Sequence, residues 1–347
     1  MSVLSYCSNE DSSAFGVVRV GSLTAYEFSG PNQVSLKARI GASNIRFASI
    51  SGSPISFIAI ARDDENVENM YIEVLEIKAS RPISNGHLTV NKSTVVGLKL
   101  YEGHLLIIHH NQIEVYALTN LKKICSIETM EGSFPLCAYD FSGAHRIAYA
   151  EPKKTGHVSV FDLRTRQPIY TFKAHNHGLV AMNYSPNGKY LATASTRGTI
   201  ARVFNLSNLQ IDSPPVTAYR RGHVSASVNF LLVQPPFLCV SSDRETIHFF
   251  QLHSQKQTQL ESDSEVSSLY SATECDRYPF FIRLPPTPSF APRFLGMLGE
   301  SDLDNEYSKR DFWICDHTAT ARCFSVPNKV VKTQTVSKLE EVHSVSL

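Results

Sequence analysis

Residues 178–206, GLVAMNYSPNGKYLATASTRGTIARVFNL, decide the fold. An apolar run at 179–184 meets the turn residues Ser185-Pro186-Asn187-Gly188, a second run at 190–194 meets a turn around Arg197-Gly198, and a third covers 199–204. Asn-Gly and Arg-Gly between short apolar runs are hairpin signals, because glycine accepts the positive φ of a tight turn. The preceding unit repeats the plan with Phe141-Ser142-Gly143, a run at 146–149, Thr155-Gly156 and a run at 158–163. Four segments end alike: Glu114-Val115-Tyr116-Ala117-Leu118, Ser159-Val160-Phe161-Asp162-Leu163, Arg202-Val203-Phe204-Asn205-Leu206 and His248-Phe249-Phe250-Gln251-Leu252. They stand about 43 to 46 residues apart, close to the roughly 40–45 of a WD-type propeller blade. Weaker copies at 15–28, 45–77, 98–118, 228–252 and 294–326 bring the count to seven. The prediction is an all-β, seven-bladed β-propeller in which each four-stranded blade covers its neighbour's apolar face. A β-sandwich has similar strand content but no reason to repeat at this interval. The last blade is expected to join N- and C-terminal segments and so close the ring.

A closed all-β ring accommodates 347 residues in one unit, where a prior of roughly 150 residues per domain suggests two. The propeller is assigned to 1–328. A polar stretch at 253–280 in the sixth blade is too long for a hairpin, and loops of this length are usually functional or disordered. A shorter insertion at 302–310 interrupts the final blade, and 329–347 reads as a solvated C-terminal tail.

The formal charge is +1, so no global field draws the molecule to nucleic acid or anionic lipid, and any attraction to phosphate is local. Seven scattered cysteines without a CxxC pair point to a reduced compartment. Asn9, Glu10 and Asp11 stand where a secretory signal needs apolar residues. Apolar runs such as 105–108 fall far below the roughly 20 residues that cross a bilayer. A cytoplasmic protein with peripheral membrane contact is expected.

Arg220-Arg221-Gly222 lies on an apparent strand between the fifth and sixth blades. Successive strand side chains point to opposite sides, so each arginine completes a different pocket. The repeat shows what each would meet. Just ahead of the shared strand ending stand Glu114, Ser159, Arg202 and His248, with cations only in the two blades flanking the arginine pair. Hydroxyls lie nearby: Thr193, Ser195 and Thr199 in one blade, Ser241, Ser242 and Thr246 in the other. Guanidinium with small hydroxyls suits a phosphate monoester, and two such pockets suit two phosphorylated headgroups. Surface ion pairs are the alternative. An imidazole near phosphate gains charge near pH 6.5, so His248 predicts tighter docking in mild acid.

Other reactive types are less coherent. Cys315-Asp316-His317 are adjacent, and adjacent strand residues diverge. His109-His110 and the pair His175 and His177 lack further metal ligands at recognisable spacing. His175 reads as a turn-stabilising residue at a blade start. Neither an enzyme, a metal site nor a cofactor is expected.

Ala218-Tyr219-Arg220-Arg221-Gly222 resembles the Phe-Arg-Arg-Gly motif of the PROPPIN or WIPI family of WD-repeat propellers, with Tyr219 in place of Phe. Residues 191–204, LATASTRGTIARVF, are similar to the family's fifth-blade signature, and 241–250, SSDRETIHFF, to its sixth. The resemblance implies binding of phosphatidylinositol 3-phosphate and phosphatidylinositol 3,5-bisphosphate at two rim sites. By position, Thr193, Ser195, Gly198, Thr199, Arg202 and Arg220 form the first, and Arg221, Gly222, Ser242, Thr246 and His248 the second. It also implies a lipid-entering loop in the sixth blade. There Leu260, Val266, Leu269 and Tyr270 would supply apolar contact, while Glu261, Asp263 and Glu265 leave open a polar spacer. Finally, it implies an autophagy effector, a monomer recruited to autophagosome precursor or endosomal membranes, with a large lipid-transfer protein as partner. The alternative is a WD-repeat scaffold that binds proteins and no lipid.

Overall fold

The computed structural model describes residues 3–30, 33–52, 54–63, 67–78, 81–82, 87–101, 103–132, 136–207, 216–244, 246–252, 276–277, 280–283, 294–298, 309–316, 318–327, 337–339 and 341–347. These residues form seven sheets in chain order, antiparallel in their first four strands, the blades of a propeller. In blade five the strands Leu179–Tyr184, Tyr190–Ser195, Ile200–Asn205 and Val216–Arg220 pair in sequence, as the reading of 178–206 predicts for the first three. Blade six repeats the order with Val228–Gln234, Phe237–Ser242, Thr246–Gln251 and Phe280–Arg283.

The strands read as apolar runs because both sheet faces are covered. In blade five, Leu191 and Phe204 pack against blade four, while Ala192 and Val203 pack against blade six. Seven apolar clusters result, one between each pair of neighbouring blades. The core of this fold is therefore a ring of interfaces around a cavity of about 460 Å³, lined by first-strand residues such as Lys99, Tyr101, Asn183 and Asn229 together with Glu10.

Three expectations need correction. The N-terminal strand Val3–Ser8 pairs with Ala14–Arg19 inside blade one, and blade seven is built from Phe294–Leu298, Lys309–Cys315, Thr320–Pro327 and Glu341–Ser346. Among the described residues no strand is shared between the termini, because 341–346 already fills the outer edge that an N-terminal strand would occupy. The segment 329–347 is accordingly not a solvated tail throughout. Its last residues pair with Thr320–Phe324, although their side chains are mostly exposed, which is why their composition reads as solvated. Within 253–280, Asp276–Arg277 runs parallel to Tyr219–Arg220 as a fifth strand on blade five, and Phe280 opens the fourth strand of blade six. Residues 253–275, with Leu260, Val266, Leu269 and Tyr270, lie outside the described residues, as does 302–308 of the predicted insertion.

Candidate functional site

Glu114, Ser159, Arg202 and His248 each occupy the third position of the third strand in blades three to six. The equivalence inferred from the repeat is thus a structural one. In blade three, Glu114 pairs with Lys123 at 2.5 Å and with His109 at 3.5 Å. In blade four, the Ser159 hydroxyl donates to Glu151 and contacts Thr171 Oγ1 at 2.7 Å. Blades five and six place basic side chains there instead.

Arg202 lies opposite Thr193 in the ladder, and its Nη1 donates to the Ala174 carbonyl and to His175 Nδ1, both at 2.9 Å. Guanidinium only donates, so His175 Nδ1 is the acceptor and its proton sits on Nε2. That nitrogen donates to Thr193 Oγ1 at 2.9 Å. Burial, and next the Arg202 charge, lower the His175 pKa to about 3 and hold the ring neutral. Both of these acceptors are neutral, and together they fix the orientation of the Arg202 guanidinium. Reading the sequence missed His175 as part of this site. Its position has a counterpart at the next crossing: Ala174 and His175 N–H groups donate to the Gly156 carbonyl, as Arg221 and Gly222 N–H groups donate to that of Thr199.

The remaining first-site residues gather at one end of the same hairpin. Ser195 closes the turn by accepting from the Gly198 N–H at 2.8 Å, Thr199 follows it, and Arg220 faces Ile200 at the end of the fourth strand. Gly198 has φ +62°, and a Cβ there would sit 1.8 Å from the Ala226 carbonyl oxygen. Only glycine lets this turn meet the chain passing from blade five to blade six.

Arg220 ends its strand and is half-buried, whereas Arg221, expected on the same strand, lies one residue past it and is 6% exposed. Arg221 Nε donates to the Gly198 carbonyl at 2.6 Å, and its Nη2 to that of Val224 at 2.5 Å. Across from it His248 is buried, and burial followed by the Arg221 charge lowers its pKa to about 4. This corrects the pH expectation: His248 is neutral throughout the physiological range and does not gain charge near pH 6.5. Gly222 follows Arg221, the buried Ser242 Oγ accepts from the Arg244 N–H at 3.3 Å, and half-buried Thr246 opens the His248 strand.

The other clusters do not converge. Burial pushes the Cys315 thiol well up, which suppresses a nucleophilic thiolate, and Asp316 is engaged by Thr318 and Arg322. His317 lies outside the described residues. His109 turns to Thr94 and His110 to the Gly132 carbonyl. Among the described residues no group of three His, Cys, Asp or Glu is placed to hold a metal ion, and no helix is long and apolar enough to cross a membrane.

A family model described as PROPPIN matches residues 63–274. The chain belongs to the PROPPIN family. Autophagy-related protein 18 of Yarrowia lipolytica is 29% identical over 222 residues, 57% of this PROPPIN and 54% of the relative. Autophagy-related protein 21 of Schizosaccharomyces pombe is 26% identical over 282 residues, covering 80% and 78%. The match to the Yarrowia protein thus spans about half of that relative's length. In fold the PROPPIN is similar to Kluyveromyces lactis Hsv2, with a TM-score of 0.74 at 16% identity, over 100% of this chain and 99% of the other. A second solved structure, a complex of KlAtg21 with the coiled coil of AgAtg16, gives 0.74 at 18% identity over 100% and 99%.

Proposed function

We propose that this PROPPIN is a peripheral membrane protein of autophagy that binds phosphatidylinositol 3-phosphate and phosphatidylinositol 3,5-bisphosphate at two rim sites and recruits partners to the forming autophagosomal membrane. The carrying observation is the equivalent placement of Arg202 and His248, each beside one inter-blade crossing, with Arg220 and Arg221 between them. Site one comprises Thr193, Ser195, Gly198, Thr199, Arg202 and Arg220. Site two comprises Arg221, Gly222, Ser242, Thr246 and His248. A phosphate monoester accepts several charge-assisted hydrogen bonds, and guanidinium groups are suited to donate them in pairs. Two weak sites on one rigid rim act together through effective concentration.

No step requires catalysis or a cofactor. A large lipid-transfer protein is the proposed recruited partner, and the proposed membrane association is peripheral. A scaffold role has its own support in the solved complex of the structural neighbour KlAtg21 with a coiled coil, so protein binding and lipid binding can share the propeller. The test is flotation with vesicles containing each phosphoinositide, using wild type and the Arg220→Ala, Arg221→Ala double variant. Loss of flotation in a folded double variant is expected. Retained flotation removes the assignment of the headgroup sites to Arg220 and Arg221, and absence of flotation by wild type removes the lipid reading and leaves the scaffold.

A further inference from the structure

Val224 is one of the most exposed large apolar side chains among the described residues, 68% accessible, and it stands three positions beyond Arg221. Its exposure is enforced by the backbone beneath it. The Val224 carbonyl accepts from Arg221 Nη2 at 2.5 Å, the Ser225 carbonyl from Arg244 Nη2 at 3.4 Å, and Ala226 is buried with its carbonyl packed against Gly198. At the far end the Ser227 N–H donates to the Asp243 carboxylate at 3.1 Å, while the Asp243 N–H donates to the Ser227 carbonyl at 2.9 Å. Both guanidiniums therefore draw carbonyls inward, and the side chains of His223, Val224 and Ser225 are turned to solvent.

A lone exposed valine on a surface needs no explanation. This one is held at the apex of a fixed loop whose two flanks carry Arg221 and the exposed Arg244, beside the cluster assigned to headgroups. An apolar tip between cations matches one kind of surface, an anionic bilayer, where phosphates meet the cations and the tip passes below them. We propose that Val224 is a membrane-inserting tip of the crossing between blades five and six, working with headgroup capture at the second site. The inference rests on the headgroup reading above and assigns the tip to lipid, not to a protein groove.

Two variants test it. Val224→Asp is expected to lower affinity for phosphatidylcholine vesicles containing phosphatidylinositol 3-phosphate by roughly tenfold, the order given by burying a valine side chain. Its affinity for soluble inositol 1,3-bisphosphate should be unaltered. Val224→Trp places a reporter in a chain whose one tryptophan, Trp313, is fully buried. Its emission should shift to the blue with those vesicles, be quenched by brominated acyl chains, and stay constant with the soluble headgroup. Wild-type vesicle affinity in Val224→Asp, absence of bromine quenching, or an equal loss for the soluble headgroup would each overturn the tip alone. Wild type that takes up neither vesicles nor headgroup overturns the headgroup reading and the tip with it.

Discussion

The Arg221 Nε–H donates to the Gly198 carbonyl at 2.6 Å, which ties the crossing between blades five and six to the hairpin turn of blade five. The two residues belong to different proposed headgroup sites, so the sites share a guanidinium and are mechanically joined. Arg220→Ala should then remove one site and leave the other, whereas Arg221→Ala should weaken both. It also leaves the Gly198 and Val224 carbonyls without this donor, at about 1–3 kcal/mol for a buried group. Arg221→Lys keeps the charge but not the planar fork, and should rescue little. Titration with soluble headgroup, read for site number and affinity, checks this. An Arg221→Ala protein with one unaltered site would show the pockets to be independent.

Glycine 198 makes the same junction from the other side. Gly198→Ala combines φ +62° with a Cβ 1.8 Å from the Ala226 oxygen, so the crossing must move. Gly21 offers an internal comparison, since at φ +79° a Cβ there meets nothing within 4 Å. Gly21→Ala should cost about 1 kcal/mol from backbone strain, and Gly198→Ala clearly more, about 2–4 kcal/mol. Urea denaturation midpoints would reveal the difference. Equal losses would mean that the Gly198–Ala226 approach is readily relaxed.

The histidines set the acid response. With pKa values lowered to about 3 and about 4, His175 and His248 are neutral when folded but titrate near 6.5 when unfolded. Between those values the unfolded chain binds more protons, so their stabilisation is complete above about pH 6.5 and is lost as pH falls toward 4. The loss amounts to roughly 1–3 kcal/mol per histidine. Docking should follow the ligand instead of His248. Vesicle affinity stays level from pH 8 to about 6.5, then weakens as the phosphate monoester takes up its second proton near pH 6. A rise in affinity across that range, abolished by His248→Ala, would restore a cationic role for the imidazole.

What the sequence disclosed follows from what repeats. Gly156, Gly188 and Gly198 mark turns in a periodic chain, and the third-strand positions from Glu114 to His248 align because every blade is built alike. Ring closure is not periodic, so nothing in the spacing distinguished a shared final blade from the separate blades observed. The strand 341–346 was hidden because its side chains are exposed and only its backbone is paired. His175 escaped because its role depends on contact with Arg202 and Thr193 from another blade, which no local pattern carries. Burial likewise decides that His248 is neutral, and burial is a property of the assembled rim.

Closure without a shared strand makes the seam between blades one and seven depend on side chains. Phe28 stacks on Trp313 with ring centroids 5.2 Å apart, Phe15 stacks on Tyr26 at 5.4 Å, and Val3, Val17, Ala321 and Cys323 complete the cluster. Tyr6 Oη donates across the seam to the Asp316 carbonyl at 2.6 Å. Trp313 is fully buried, so Trp313→Ala should destabilise by about 3–5 kcal/mol, while Tyr6→Phe, which removes one hydrogen bond, should cost about 1 kcal/mol. Because no backbone ladder among the described residues spans this junction, amides of 3–19 and 309–327 should lose hydrogen-exchange protection together in Trp313→Ala, ahead of blades three and four. Uniform loss of protection around the ring would instead show that all seven interfaces yield as one, and that the seam is no weaker than its neighbours.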